Sequence, residues 1–172
     1  MTSSTKGWTM YTVEIQGLDK QIYLLDHYDQ LWATEYGTAM QAGVTIIAAQ
    51  AKIGAPYFRG RLTSSMLSRV THDARGVVGE VYSSITDSVY PLVMEYGRRK
   101  GAKPPPVAAI TPWVIAKFGD ASLAYVIARS IGKKGIKGHF FLKRAYQRSR
   151  AEVIGLFEVA TARLANKLSI GG

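Results

Sequence analysis

Apolar residues recur at a helical spacing in two long stretches of the chain, one in each half. Over residues 18–53 no proline interrupts a face made of Ile22, Leu25, Trp32, Tyr36, Met40, Gly43 and Ile47. Over residues 139–168 a similar face is made of Leu142, Tyr146, Ser149, Val153, Phe157, Ala160, Leu164 and Leu168. Positions that repeat every three or four residues lie on one side of a helix. The pattern therefore predicts two long amphipathic helices.

The first of these helices contains Gly37 and Gly43. Each glycine costs a helix about 1 kcal/mol relative to alanine, so it marks either a kink or a place where another backbone packs closely, and we favour packing. Gly54, Ala55 and Pro56 end the helix, because proline removes a hydrogen-bond donor and disfavours helical angles in the residue before it. A loop is expected to follow, as far as residue 61.

Three shorter stretches carry the β-branched and aromatic residues that are typical of strands. Residues 9–16 predict a first strand that ends at Gly17. Residues 62–70 and 77–85 predict a hairpin, because the polar residues 72–76 between them end in glycine. Residues 89–96 then predict a short helix that is closed by Gly97.

Two further helices are predicted before the last one. Thr111 followed by Pro112 is typical of a helix start, and Gly119 of a helix end. Asp120 or Ser122 is expected to cap the second helix, which residues 132–138 (GKKGIKG) interrupt. Its predicted apolar face consists of Leu123, Val126, Ile127 and Ile131.

Together these elements predict an α+β fold, in which the long N-terminal helix packs a small antiparallel β-sheet and the C-terminal half is helical. The length of 172 residues is typical of one domain, so we expect a single domain over residues 1–172. Within it we expect an α+β core over residues 9–97, a basic proline loop and two-helix insertion over residues 98–138, and a C-terminal helix over residues 139–169.

The positive charge of the chain is concentrated in one segment. Lys and Arg number 22 against 12 Asp and Glu, which gives a net charge of +10. Residues 1–97 hold 7 basic and 9 acidic side chains, whereas residues 98–150 hold 13 basic side chains and only Asp120 as an acid, a net charge of +12. Such a surface attracts nucleic-acid phosphates or an acidic protein partner through the same electrostatics, so both partners remain open.

The composition argues against several kinds of chemistry. The chain has no cysteine, which excludes disulfides, thiolate catalysis, zinc fingers and iron–sulfur ligation. The histidines at positions 27, 72 and 139 form no local ligand motif, so we expect neither a metal nor a cofactor. We interpret Ser64 and Ser65 as polar strand positions, and Glu95 as a hydrogen-bonding or ion-pairing residue. With no catalytic signature, we expect a protein that is not an enzyme.

Two other site classes also lack support. Residues 132–138 lack the G-x-x-x-x-G-K-[ST] order of a phosphate-binding loop and follow a predicted helix instead of a strand. No stretch has 18 uninterrupted apolar residues, and residues 1–7 lack the apolar part of a secretion signal. We expect a protein that is neither secreted nor membrane-spanning.

Three ordered stretches carry a family resemblance that covers about residues 50–146. The first comprises Ala51-Lys52, Ala55-Pro56, Gly60, Leu62 and residues 64–66. The second comprises Tyr90 and residues 93–97 (VMEYG), and the third residues 104–106, 110, 113–114, 117–119, 128–131, 135–141 and 145. In this order they resemble the head–tail joining or tail-completion family of long-tailed bacteriophages. Arg59, Thr63, Pro91 and Arg98 depart from the family pattern.

The resemblance implies a non-enzymatic structural protein of the virion neck or upper tail, which forms a ring, sixfold like the tail, that joins the head connector to the tail or completes the tail. The implied partners are further copies of the chain and other neck, connector, tail-terminator or tail-tube proteins, with assembly in the host cytoplasm. DNA would pass through the lumen without sequence-specific binding. By this resemblance we place a subunit or partner interface at Tyr90, Glu95, Tyr96, Gly97, Arg98, Arg99, Lys100, Lys103, Pro104, Pro105 and Pro106. The alternative for Tyr90 and Tyr96 is a place in the core, and for Gly97 a helix cap.

A nucleic-acid-binding protein is the alternative function. The basic docking surface that we expect comprises Lys133, Lys134, Lys137, Lys143, Arg144, Arg148 and Arg150. No helix-turn-helix or RNA-binding motif accompanies these residues. A lumen lined with +12 charges per subunit would hold DNA instead of letting it pass, so in a ring we expect most of these charges to face neighbouring proteins or the outer rim.

Overall fold

The computed structural model describes residues 22, 23, 26–73, 76–85 and 89–169. The predicted strand over residues 9–16 and the predicted start of the first helix lie outside these residues. The elements, in chain order, are α1 (Tyr28–Gly54), α2 (Arg61–Ser65), β1 (Met66–Asp73), β2 (Gly76–Ser83), α3 (Tyr90–Tyr96), β3 (Gly97–Arg98), α4 (Val107–Phe118), α5 (Leu123–Lys134), β4 (Ile136–Lys137) and α6 (Phe141–Ser169). The predicted α+β class and the helical C-terminal half are confirmed.

Helices α1 and α6 pack antiparallel along their length. The Tyr36 hydroxyl lies 2.8 Å from the Thr161 hydroxyl, and at the other end Gly54 lies beside Phe141. Between these points a Cβ at Gly43 would lie 3.1 Å from the Val153 Cγ1. This close approach supports the packing interpretation of Gly43, with the Val153 side chain instead of another backbone as the neighbour. The buried residues of α1 are accordingly small: Ala39, Gly43, Val44, Ala48 and Ala51.

Strands β1 and β2 form the predicted hairpin, with a register that pairs Met66 with Ser83 and Asp73 with Gly76. The strands thus extend into the stretch that the sequence assigned to the turn. The hairpin packs against α1, where Gly79 leaves room for Met40 and Val44. The expectation that the long helix covers a small antiparallel sheet is therefore confirmed for these strands.

The predicted strand over residues 62–70 is wrong in its first part, because residues 61–65 form the short helix α2. Gly60 precedes it in the left-handed region, at φ 68°. The Ser65 hydroxyl donates to the Leu62 carbonyl at 2.7 Å and lies 2.8 Å from the Ser83 hydroxyl. Ser64 and Ser65 are therefore helical residues and not polar strand positions, since local side-chain hydrogen bonds and a glycine turn outweigh strand propensity here.

A core cluster joins α1, α2, β1 and α6. It consists of Ala51, Ala55, Leu62, Met66, Phe141 and Ala145. Leu62 is fully buried and Phe141 is 2% exposed. Tyr90 and Met94 of α3 pack against this cluster, so the cluster brings together segments from all three stretches that carry the family resemblance.

Helix α4 begins at Val107, four residues before the predicted Thr111, so Pro112 lies inside the helix. The Thr111 hydroxyl does not cap the helix but donates to the Val107 carbonyl at 2.8 Å. Pro112 has no N–H to donate to the carbonyl four residues earlier, a cost that this helix carries. The predicted end is confirmed, because Gly119 is the C-cap in the left-handed region.

Helix α5 buries a different face from the predicted one. Its buried residues are Ala124, Ala128 and Gly132, whereas Val126 is 63% exposed. The prediction assumed that the largest apolar side chains are buried, whereas the buried residues are the smallest ones because the packing is close. For example, a Cβ at Gly132 would lie 2.8 Å from the Pro104 Cγ. In α6 the same error affects Tyr146, which is 53% exposed.

The cap of α5 combines both candidate residues. Ser122 occupies the N-cap position, but its side chain makes no capping hydrogen bond. Instead, the Asp120 carboxylate accepts the Ser122 N–H and the Ser122 hydroxyl, each at 2.8 Å. These hydrogen bonds to Ser122 lower the pKa of Asp120, because they favour its charged form.

Candidate functional site

Glu95, at the end of α3, holds the N-terminus of α6. Its carboxylate accepts the Leu142 N–H at 2.9 Å and the Lys143 N–H at 3.1 Å, and its backbone carbonyl accepts the Phe140 N–H at 3.0 Å. The side chain is only 3% exposed. A carboxylate at this position satisfies N–H groups that have no partner within the helix and interacts favourably with the helix dipole. The predicted hydrogen-bonding role of Glu95 is confirmed.

Next to the contact between Glu95 and α6, strands β3 and β4 form a two-residue antiparallel ladder, which pairs Gly97 with Lys137 and Arg98 with Ile136. Three glycines make the approach possible. Gly97 and Gly135 have φ values of 81° and 75°, and a Cβ on either would overlap a backbone carbonyl of the opposite strand, while a Cβ at Gly138 would lie 2.6 Å from the Glu95 carbonyl oxygen. The glycines of the 132–138 segment thus serve close backbone packing.

The ladder closes the base of an arm, which we define as residues 99–135. Within the arm α4 and α5 pack on each other, and neither packs extensively on any other described helix or strand. The Gly101 N–H donates to the Gly132 carbonyl at 2.9 Å. The Arg98 guanidinium donates to the Lys103 carbonyl, which fixes the loop between the ladder and α4. The arm is therefore a helical hairpin held at its base.

Two groups of sequence-predicted residues come together at this base. Backbone contacts place residues 99 and 100 beside Gly135. Further basic residues of the predicted docking surface follow on the last turn of α5, on β4 and on the first turn of α6. We call the exposed side chains there the basic junction: Arg99, Lys100, Lys133, Lys134, Lys137 and Lys143. Arg144 follows on α6, whereas Arg148 and Arg150 lie farther along that helix. Asp120, the acidic residue of the arm, lies at its tip between α4 and α5.

The other predicted interface residues divide into buried and exposed groups. Tyr90 is partly buried against the core cluster, and this burial raises the pKa of Tyr90 against an opposing effect of the Arg61 charge. Gly97 is the C-cap of α3, as the sequence predicts. Tyr96, in contrast, is 69% exposed, so its alternative place in the core is wrong. In the proline loop, Lys103, Pro104 and Pro106 are exposed and Pro105 is partly buried.

Exposed apolar side chains are the feature that the sequence analysis missed. Among the described residues, 21 large hydrophobic side chains are exposed, whereas only six buried hydrophobic residues are larger than alanine. Isolated exposed apolar residues are common, but extended apolar surface marks an interaction site. Helical periodicity does not indicate which apolar residues stay exposed, because it predicts an apolar face but not what packs on that face.

No group of three or more His, Asp or Glu side chains in the described part of the chain is arranged to hold a metal ion. Nor does any helix within the described ranges have the length and apolar character needed to cross a membrane. Comparisons with protein-family models, curated proteins and solved structures find no significant match.

Proposed function

We propose that this chain is a non-enzymatic structural subunit of a bacteriophage neck or upper tail, which assembles into a ring that joins the head connector to the tail or completes the tail. The resemblance of three ordered stretches motivates the phage assignment. In support, the core cluster contains Ala51, Ala55, Leu62, Met66 and Ala145 from the first and third stretches, and Tyr90 from the second packs against it. Residues that define the resemblance thus act together in the fold.

The observation that carries assembly is that, among the described residues, exposed large apolar side chains outnumber buried ones. An isolated subunit leaves this surface in water, where each square ångström of apolar area costs about 25 cal/mol relative to burial. Identical copies that cover it through a heterologous contact form a closed ring when the rotation between neighbours permits. Further partners would be connector, tail-terminator or tail-tube proteins.

Light scattering of purified protein over a wide concentration range tests the assembly. We expect a discrete oligomer of the 18.8 kDa chain, with a hexamer as the proposed stoichiometry. Imaging of virions with the protein labelled should place it in the neck or upper tail. A protein that stays monomeric at all concentrations and is absent from particles would overturn the proposal.

In such a ring we propose that the basic junction faces neighbouring proteins or the outer rim. The junction collects six exposed cations, and a lumen lined with them in every subunit would retain DNA by phosphate neutralisation. An image of the assembled ring that shows Lys133, Lys137 and Lys143 mainly at the lumen would contradict this placement.

Nucleic-acid binding is the second candidate, and the basic junction is the observation that favours it. Titration of duplex DNA across a salt series separates the two functions, because each phosphate contact contributes about 0.9 to the slope of log K against log salt. A nucleic-acid-binding protein should bind at physiological salt and lose affinity when Lys133, Lys134 and Lys137 are changed to Glu. A docking protein should show little DNA binding under the same conditions.

A further inference from the structure

The outer face of α4 is apolar and exposed. Val114 is the buried residue of this 12-residue helix, and Lys117 is its charged residue. The exposed side chains of α4 other than Lys117 and Phe118 are Val107, Ala108, Ala109, Pro112, Ile115 and Ala116. A helix at a free surface normally presents charged and polar residues to water, so this face has the composition of a contact surface.

Cations lie on the same arm as this apolar face. Lys103 precedes α4, Lys117 lies in its last turn, and Arg129 extends from α5. The whole arm holds 7 basic side chains and only Asp120 as an acid. A matching surface should therefore combine apolar side chains with carboxylates.

The segment that leads into α1 has this combination. Ile22 is 47%, Tyr23 is 59% and Tyr28 is 39% exposed, and the carboxylates of Asp26 and Asp29 are exposed between and beside them. We call these five residues the acidic patch. Residues 1–97 as a whole hold more acidic than basic side chains, which makes this half of the chain the electrostatic complement of the arm.

The arm of a chain does not reach the acidic patch of the same chain. Gly54 of α1 lies beside Phe141, close to the base of the arm, whereas the patch lies at the opposite end of α1. At 1.5 Å per residue the 27 residues of α1 span about 40 Å, and the 12 residues of α4 only about 18 Å. A contact between the two surfaces therefore requires two copies of the chain.

We propose that the apolar face of α4 binds the acidic patch of a second copy. This inference rests on the proposed ring, and it specifies the contact that builds it. The contact joins two different surfaces, so it is heterologous, and its repetition generates a ring. The net positive charge of the arm of one subunit then lies near Asp26 and Asp29 of the next.

Three isoleucines of almost equal exposure provide the test. Ile115 lies on α4 and Ile154 on α6, each 46% exposed, and Ile22 of the acidic patch is 47% exposed. We expect Ile115→Asp and Ile22→Asp each to weaken assembly at least tenfold, because a charge in an apolar contact costs more than about 1.4 kcal/mol. The control Ile154→Asp should assemble as the unchanged protein does. Light scattering measures the assembly, and thermal unfolding checks that each variant remains folded.

Mixing the two defective variants provides the decisive measurement. Ile115→Asp keeps an intact patch and Ile22→Asp keeps an intact arm, so a mixture should form one-to-one dimers and no larger species. If the unchanged protein is monomeric, the proposed ring fails and this contact fails with it. If the unchanged protein forms a ring that both variants retain, the ring stands and this contact is overturned.

Two other outcomes also overturn the contact. If Ile115→Asp alone blocks assembly while Ile22→Asp assembles normally, α4 binds a different surface. If Ile115→Asp lowers the unfolding temperature of a monomer, and deletion of residues 1–21 lowers it equally, the chain covers its own α4.

Discussion

The seam between α1 and α6 and the outer face of α4 have similar apolar patterns but opposite surroundings. In the seam, Ala48, Ala51 and Ala145 are buried, because each helix finds its partner within the same chain. On α4, Ile115 is 46% exposed, and among the described helices and strands only α5 packs extensively on this helix. An apolar helical face indicates that another surface packs on it. Only the three-dimensional structure shows whether that surface belongs to the same chain.

The two regions also show which side chains allow two helices to pack closely. The seam and the arm both use small buried residues, such as Gly43 in α1 and Ala124 and Ala128 in α5, while Gly132 lies against Pro104 of the proline loop. Small residues let two helices approach closely, and larger apolar residues then lie at the outside. In α5 this places Tyr125 and Val126 in solvent, at 62% and 63% exposure.

The largest expected effect separates the core cluster from the arm. Leu62→Ala removes a fully buried side chain from the cluster and should lower the free energy of unfolding of the whole protein by about 3 kcal/mol. Val114→Ala removes an equally buried side chain from the arm and should mainly speed hydrogen exchange within residues 107–134. Urea unfolding and hydrogen exchange measure the two effects. Equal acceleration of exchange in α1 by Val114→Ala would show that the arm and the core unfold as one unit.

The next effect concerns the ladder that joins the two regions. Gly97→Ala should destabilise the protein by about 3 kcal/mol, because the new Cβ would overlap the Ile136 carbonyl in addition to the cost of a left-handed angle. Gly101→Ala is the matched control: its φ is 75°, and no atom lies within 4 Å of its Cβ position. The control should cost about 1 kcal/mol. Equal urea midpoints for the two variants would mean that the ladder contributes little to stability.

Glu95 provides a smaller effect at the same place. Glu95→Ala leaves the Leu142 and Lys143 N–H groups without their carboxylate acceptor, and should cost about 2 kcal/mol. Glu95→Gln retains one acceptor oxygen and should recover part of this loss. Urea unfolding with an unchanged m-value is the appropriate measurement. If Glu95→Ala unfolds at the midpoint of the unchanged protein, α6 does not depend on this cap.

The sequence predicted the long helices, the hairpin and the glycine ends of α3 and α4, since each depends on neighbouring residues. It mispredicted elements that depend on distant ones. In the helix over residues 61–65, the Ser65 hydroxyl adds to its local bond with Leu62 a contact with Ser83, 18 residues farther along the chain. The basic junction was also invisible as a unit, because its members come together only when β3 pairs with β4. Residue counts located the charge along the chain, but the ladder places it in space.

The smallest expected effect is a pH dependence of stability that arises from Tyr90, which packs against the core cluster. Burial raises the pKa of Tyr90 above the ordinary value of about 10, so the unfolded chain loses this proton first as the pH rises. The contribution of Tyr90 to stability is therefore complete below about pH 10 and declines as the pH rises toward the higher pKa of the folded state. Urea unfolding at pH 8 and about pH 10.5 should show a smaller decline in Tyr90→Phe than in the unchanged protein. Tyr96→Phe is the control, because Tyr96 is 69% exposed and lacks the burial that acts on Tyr90. An identical decline in all three proteins would show that Tyr90 ionises as easily in the folded chain as in the unfolded one.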